Sequence, residues 1–581
     1  MLFKNLIKFV KYFVKDKKSL FFYCTSSFIV SILELLGVAL IYPFVLKLLN
    51  STHSEKEQIA SLIIGIAIIL LFLIKNLYMI GYNYFQAKYI KGLESGIKTR
   101  FMQYFLTADY QKISQYTLAQ KINLLNYVIP NVISNFALRI LNLNINLFIF
   151  CGISAYLIVK YPLATLVTSV CACLLIYTQT RFFKFRLKTI SEKIAKVATY
   201  YSQNTNEPLI NYKSVKISNN EGYFLDKYKA ALQNFNELEV KNLFYNSTPP
   251  YITEPCIIII LFTLLTVIYF QNASDTGNLI ASFAVIASAI FRMAPAISRI
   301  QTNLHGINSV KDIVNELIEK YEEFDIKNMN IINSNKIEFE NNVELKNVYY
   351  KYNSGKLALK DISLTIKKGE FIGITGRSGA GKTTLADIIA GLLQPTSGKI
   401  LADGQEISAS RKFNIGYIPQ ELNIVNDTIR ANVAYGTREI DDNKVIDSLK
   451  KAQIYEYIQE TYPNGIYENP FIDNIGLSQG QKQRLILARA LYNNPDILIL
   501  DEATSALDIK TEDEICHVLK ELKTGTTIIA IAHRLSTIKS ADKIILLDNG
   551  KIADIGDFED LISRNTEFKS MAELSSITTK E

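Results

Sequence analysis

GRSGAGKTT, Gly376–Thr384, is the stretch that decides the fold. A glycine, four residues, a second glycine and then Lys-Thr make the pattern G-x-x-x-x-G-K-[ST], whose small residues let successive backbone N–H groups close around a phosphate. Here Arg377, Ser378, Gly379, Ala380 and Gly381 form the turn, Lys382 reaches the terminal phosphates, and the hydroxyl of Thr383, next to Thr384, is placed to ligate Mg²⁺. The flanks agree. GEFIGIT upstream is a short apolar run of β type and TLADIIAGLL downstream has helical spacing, so the loop joins a strand to a helix N-terminus.

Four more stretches surround the loop. ILILDEATSALD sets a buried strand directly before Asp501 and Glu502, where one carboxylate can hold Mg²⁺ and the other can polarise an attacking water. LSQGQKQR, Leu477–Arg484, offers serine and glycine donors to a phosphate; YIPQ places Gln420 between the loop and that segment; IAIAHRLS places His533 after a hydrophobic strand.

With these motifs in this order, the region from about Val343 to Ile562 resembles the ATP-binding cassette (ABC) proteins. The resemblance implies an α/β P-loop NTPase domain that binds ATP with Mg²⁺, the metal being held by Thr383, Gln420 and Asp501. It also implies that Tyr352 in VYYKY stacks on adenine, that Gln420 senses the metal, and that Ser478, Gln479, Gly480 and Gln481 form the signature. Asp508 takes the D-loop position and His533 the switch position, so Glu502, His533, Gln420 and Lys382 are the expected catalytic set. Two departures stand out: ENPFIDNIG replaces the usual glycine-rich segment before the signature, with Asp473 in the acidic place, and Gln479 replaces a glycine.

Composition describes the rest. Of 581 residues 49% are hydrophobic, and the apolar ones crowd into the first three hundred positions. Six stretches are long enough to cross about 30 Å of hydrocarbon as helices: about 20–46, 59–82, 133–159, 162–180, 252–271 and 277–299. The first lacks a cleavage-like end and is expected to remain. The predicted architecture is a membrane α-helical bundle over 1–318, with long cytoplasmic extensions, a polar linker at 319–340, the nucleotide domain at 341–570 and a tail at 571–581. Lys4, Lys8, Lys11, Lys15, Lys17 and Lys18 precede the first span, and Lys88, Lys91, Lys98, Arg100, Arg181, Lys184, Arg186 and Lys188 follow the second and fourth. This bias puts both termini and the ATPase domain in the cytoplasm of a bacterial inner-membrane protein. It accounts for the net charge of +8, so no nucleic-acid partner is expected.

Proline spacing sets the reach of the helices. None falls between Pro43 and Pro130 or between Pro162 and Pro208, so the second and fourth spans can continue well past the bilayer. A helix from about Ile59 to Thr107 is roughly 70 Å long. Such extensions must turn back at LTADYQKISQY and EPLINYKSVK. The alternatives there are coupling helices of the ABC kind or plain solvated loops.

The whole chain thus resembles an ABC exporter half-transporter, which implies alternating access driven by a homodimer in which each ATP lies between one copy's loop and the other's signature. Arg292 and Arg299, seven apart around Pro295, share a helix face, and Lys75 and Glu34 also fall within spans. The basic residues either line a cavity suited to a phosphate or pyrophosphate group, snorkel to the cytoplasmic interface, or fix the bundle by pairing with carboxylates such as Glu34. ELLGVALIYPF and FRMAPAISRIQTNLHGINSVKDI add a looser resemblance to bacterial flippases of lipid-linked oligosaccharides, implying an amphipathic polyprenyl-pyrophosphate cargo. The alternatives are a drug, lipid or peptide exporter and, against the membrane spans and the intact hydrolytic residues, an ATP-gated channel or a non-transport ATPase. The six cysteines show no CxxC, and packing accounts for them.

Overall fold

The computed structural model describes the chain except residues 1, 15, 51–54, 249–250, 253, 257, 260–261, 264–265, 267–275, 325, 327–334, 338–339, 353, 408–410, 471–475, 503–508, 524, 533 and 578–581. It divides into two compact units: Met1–Leu106 with Tyr116–Met329, and Thr107–Gln115 with Asn330–Glu581.

Among its described residues the first unit is built of helices joined by short turns. Glu55–Thr107 is one helix of 53 residues, about 80 Å at about 1.5 Å per residue. Much of its apolar surface faces outward: Leu62 is 64% exposed, Leu73 62% and Leu77 73%. A surface of that kind is stable only against an apolar solvent. Among the described residues four helical stretches are long and apolar enough to cross a membrane: Lys17–Leu49, Gln58–Thr107, Leu118–Lys160 and Ile280–Ser309. They fall on the first, second, third and sixth expected spans. Helix Pro162–Ile210 runs through the fourth, and the fifth, 252–271, lies largely outside the described residues.

Prolines explain where these helices depart from the expected bounds. The first stretch breaks between Ala39 and Ile41, because Pro43 has no N–H for the Ala39 carbonyl and its ring crowds that oxygen. The third begins at Leu118 rather than 133, behind a capping box made by Thr117 and Gln120. It passes through two π-helical turns, Leu124–Val128 and Ile133–Ala137, on either side of Pro130 before the regular helix Leu138–Lys160. The long helices reverse through short ones, Tyr110–Ile113 and Tyr212–Ile217, the latter leading into Glu221–Ser247.

The expected linker opens as structure. Lys311–Glu323 is a helix because Val314, Leu317, Ile318 and Tyr321 form one buried face at helical spacing. Tyr321 stacks on Tyr12 at 5.2 Å, and Glu322 accepts hydrogen bonds from Lys8 and Tyr12 of the N-terminal helix Leu2–Phe13.

The second unit is built on a six-stranded sheet. Its order is Lys551–Gly556, Lys543–Asp548, Phe371–Gly376, Thr527–Ile531, Ile497–Asp501 and Ile415–Ile418, parallel except for the first edge strand. Burial on both faces is written in the alternation: Leu498, Leu500, Ile528 and Ala530 enter one core, while Ile497, Ile499, Ile529 and Ile531 enter the other. The second core is closed by an antiparallel sheet that pairs Asn342–Lys351 with Leu357–Lys367 and Ser397–Ala402. The expected tail is helical as far as Ile577, in a helix anchored by the fully buried Phe568.

Gly373 lies where a helix crosses the sheet: a Cβ there would stand 2.7 Å from Ile538 Cβ. Gly373→Ala is expected to cost about 1–3 kcal/mol and lower the unfolding midpoint of the purified protein; an unchanged midpoint would show that sheet and helix part freely.

Candidate functional site

The register of three strands builds the site. Ile531 pairs with Ile374 on one side and with Asp501 on the other, so the phosphate loop and the carboxylate emerge level at the carboxyl end of a parallel sheet, where ligands of such folds bind. Gly376, Gly379 and Gly381 have φ of 141°, 81° and 101°, open to glycine and strained for other residues. A Cβ on Gly376 would lie 2.1 Å from the Leu547 carbonyl oxygen, and one on Gly381 2.8 Å from that of Ala358.

Within the loop, the buried Lys382 Nζ donates to the carbonyls of Gly376 at 2.8 Å and Arg377 at 3.1 Å. Burial lowers its pKa, and the nearby Glu502 and Asp501 oppose that shift. Thr383, one residue on, is exposed at the first turn of helix Lys382–Ile389. Thr384 Oγ1 meets the Tyr352 hydroxyl at 2.8 Å, and Tyr350 steadies the Tyr352 ring edge-on at 5.0 Å. Arg377 leaves the loop to pair with Glu567 at 2.8 Å, so Ser378 and Ala380 complete the turn without charge.

Asp501 is buried, and Tyr417 donates to its Oδ2 at 3.0 Å. Burial pushes that carboxyl up and the tyrosine bond pulls it down. Glu502 follows with φ of 51°, a left-handed backbone that turns it away from the strand direction. Its N–H donates to the Ile531 carbonyl, and Gln420 Nε2 donates to its Oε2 at 2.8 Å. Thr383, Asp501 and the Gln420 amide could each offer oxygen, the donor type a hard cation such as Mg²⁺ takes. Elsewhere among the described residues no group of three or more His, Cys, Asp or Glu could hold a metal.

Ser478 caps the helix Gln479–Leu491 through a reciprocal box with Gln481, at 2.7 and 3.3 Å. Gln479 and Gly480 thus occupy a first turn whose backbone N–H groups favour an anion. Asp508, His533 and Asp473 lie outside the described residues.

Four residues of the site escaped the sequence reading. Tyr417 stood inside the YIPQ stretch, but its bond to Asp501 needs the pairing of neighbouring strands. Burial raises the Asp387 carboxyl to about 6, with Asp501 adding to it. Tyr110, of the Thr107–Gln115 segment, has its phenol raised by burial and then by Asp387, Tyr352 and Asp501. Glu512, 5% exposed, accepts from Arg534 at 2.9 Å, Ser536 at 2.6 Å and Thr537 at 2.8 Å, and so clamps the segment just after position 533.

In the first unit, Lys75 and Arg292 converge on Glu34 at 2.7 and 2.9 Å, with the Phe72 ring 5.3 and 4.6 Å from the two cations. Arg299 is exposed, and among the described residues no ion pair joins it to Glu34.

Known proteins match this arrangement. The sequence profile described as ABC transporter matches residues 359–505, and that described as ABC transporter transmembrane region matches residues 20–294. An ATP-dependent lipid A-core flippase of Saccharophagus degradans is 33% identical over 408 residues, 68% of this chain and 67% of that one. The mitochondrial iron-sulfur clusters transporter ATM1 of Debaryomyces hansenii is 34% identical over 372 residues, 61% of this chain and 52% of that one. A bacterial Atm1-family ABC exporter with ATP bound superposes with a TM-score of 0.80 at 21% identity, over 96% of this chain and 98% of that one.

Glu502→Gln is expected to keep ATP binding while turnover falls by about 100-fold or more, read from nucleotide affinity and phosphate release. Near wild-type turnover would remove Glu502 from the reaction.

Proposed function

The chain belongs to the ABC exporters, with membrane and ATP-hydrolysing domains on one polypeptide, and from that premise we propose that two copies pair to flip a lipid-linked, polyprenyl-pyrophosphate oligosaccharide. The chain carries one phosphate loop and one signature. A second copy supplies the signature facing each ATP, which makes the homodimer the working unit. The lysine and arginine bias of the cytoplasmic segments supports a bacterial inner-membrane placement with both termini inside and movement from the inner to the outer leaflet.

In the hydrolytic step Glu502, held by Gln420, orients a water in line with the γ-phosphorus, while Lys382 and the loop N–H groups stabilise charge on the departing phosphates. Thr383, Gln420 and Asp501 would hold Mg²⁺, which would supply further charge neutralisation there. His533 and Asp508 complete the set by the motif order. ATP binds the closed cassette pair with both sets of donors, so closure is favoured before hydrolysis and released after it. The short helix Tyr110–Ile113, which groups with the nucleotide unit, passes that motion along the chain into the 53-residue helix before it.

One observation carries the cargo assignment. Among the described residues Lys75 and Arg292 share the single carboxylate of Glu34, leaving one positive charge over within the membrane unit, where an unmatched charge is costly unless used. An anionic headgroup matches it. The relative named a lipid A-core flippase supports a lipid-borne cargo.

Proteoliposomes loaded with a fluorescent polyprenyl-diphosphate sugar test the proposal. ATP-dependent flipping is expected, falling about tenfold in Arg292→Ala, in line with the loss of a charge-assisted contact. Stimulation of ATPase by drugs or peptides but not by the lipid diphosphate would overturn it.

A further inference from the structure

Arg139 begins the helix Leu138–Lys160, directly after the π-helical turn Ile133–Ala137; turns of that kind gather at functional sites. Its guanidinium lies against the bare backbone of Gly306, where a Cβ would stand 2.1 Å from Nε and 2.2 Å from Cζ. Nε donates to Asn135 Oδ1 at 3.2 Å and Nη1 to the Thr302 carbonyl at 2.8 Å. Asn135 is itself held by Asn131 at 2.8 Å. Both acceptors of Arg139 are neutral. Among the described residues no carboxylate pairs with it, in contrast to Lys75 and Arg292. A guanidinium carries five N–H groups, and contacts among the described residues use two of them.

The position extends a pattern. Residues 292, 299 and 306 of helix Thr276–Ser309 are spaced by sevens, which keeps them near one face at steps of about 10 Å. Two carry arginines, and the third is the notch that receives Arg139 from the neighbouring helix. A half-buried, positioned and unneutralised guanidinium in a membrane unit has the geometry for bidentate binding of a phosphate.

We propose that Arg139, seated in the Gly306 notch, is an anion-docking site that takes the phosphate or pyrophosphate headgroup of an amphipathic substrate before it reaches the Lys75–Glu34–Arg292 cluster. This rests on the anionic-lipid reading above.

The test is equilibrium binding to the full-length protein in zwitterionic nanodiscs, using undecaprenyl diphosphate, undecaprenol, phosphatidylglycerol and inorganic pyrophosphate. Arg139→Gln removes the fork, while Gly306→Ala keeps the arginine and denies it its place; each is first required to elute as the wild type does. Both are expected to weaken undecaprenyl diphosphate by at least about tenfold, about 1.4 kcal/mol, and to leave undecaprenol unchanged. Equal diphosphate affinity in all three proteins overturns the site and leaves the flippase reading standing. If the wild type ignores undecaprenyl diphosphate but binds phosphatidylglycerol or pyrophosphate, and both variants lose that binding, the site stands and the oligosaccharide reading falls. No wild-type affinity for any of the three phosphates overturns the site.

Discussion

Strand pairing at Ile531 is the constraint on which the nucleotide unit depends. That residue lies in register between Ile374 and Asp501, and a parallel sheet fixes the lateral step at about 4.8 Å. The phosphate loop and the carboxylate therefore stand about 10 Å apart across one intervening strand, a span set by main-chain geometry before any side chain is chosen. Tyr417 and Gln420 enter from the next strand over and its following loop, bonded to Asp501 and Glu502 respectively. The site is a row of strand ends, and its precision is that of the sheet.

The membrane unit answers a different demand. With no water to satisfy backbone groups in hydrocarbon, its segments must be helices of unbroken ladder, and the 53 residues of Glu55–Thr107 contain no proline to interrupt one. The same rule makes each interruption informative. Pro43 accounts for the break at Leu40, and Pro130 lies between two wide turns that lead to Arg139. Charges within the unit follow the same economy. Glu34 answers Lys75 and Arg292, and among the described residues Arg139 has only neutral acceptors.

Local chemistry was legible in the sequence; long-range pairing was not. The loop, the strand before Asp501 and the reach of the second helix follow from glycine spacing, apolar runs and the absence of proline, all properties of contiguous residues. The helical start of the linker could have been read from Val314, Leu317, Ile318 and Tyr321, but acidic and polar neighbours at 319–323 masked the periodicity. Glu512 and Tyr110 carried no signal, because their partners are far along the chain and only the fold brings them together. The readings of Asp508, His533 and Asp473 rest on motif order alone, since these positions lie outside the described residues.

The closeness of Gly376 to the Leu547 carbonyl has a consequence for divergence. Because the loop is braced against peptide backbone, its location is insulated from whichever side chains fill the cores on either face. Core residues are then free to drift in concert while the loop stays registered to the sheet. In this chain the corner glycine is a fixed point of main chain against main chain, a kind of brace that does not depend on the identity of the core side chains around it.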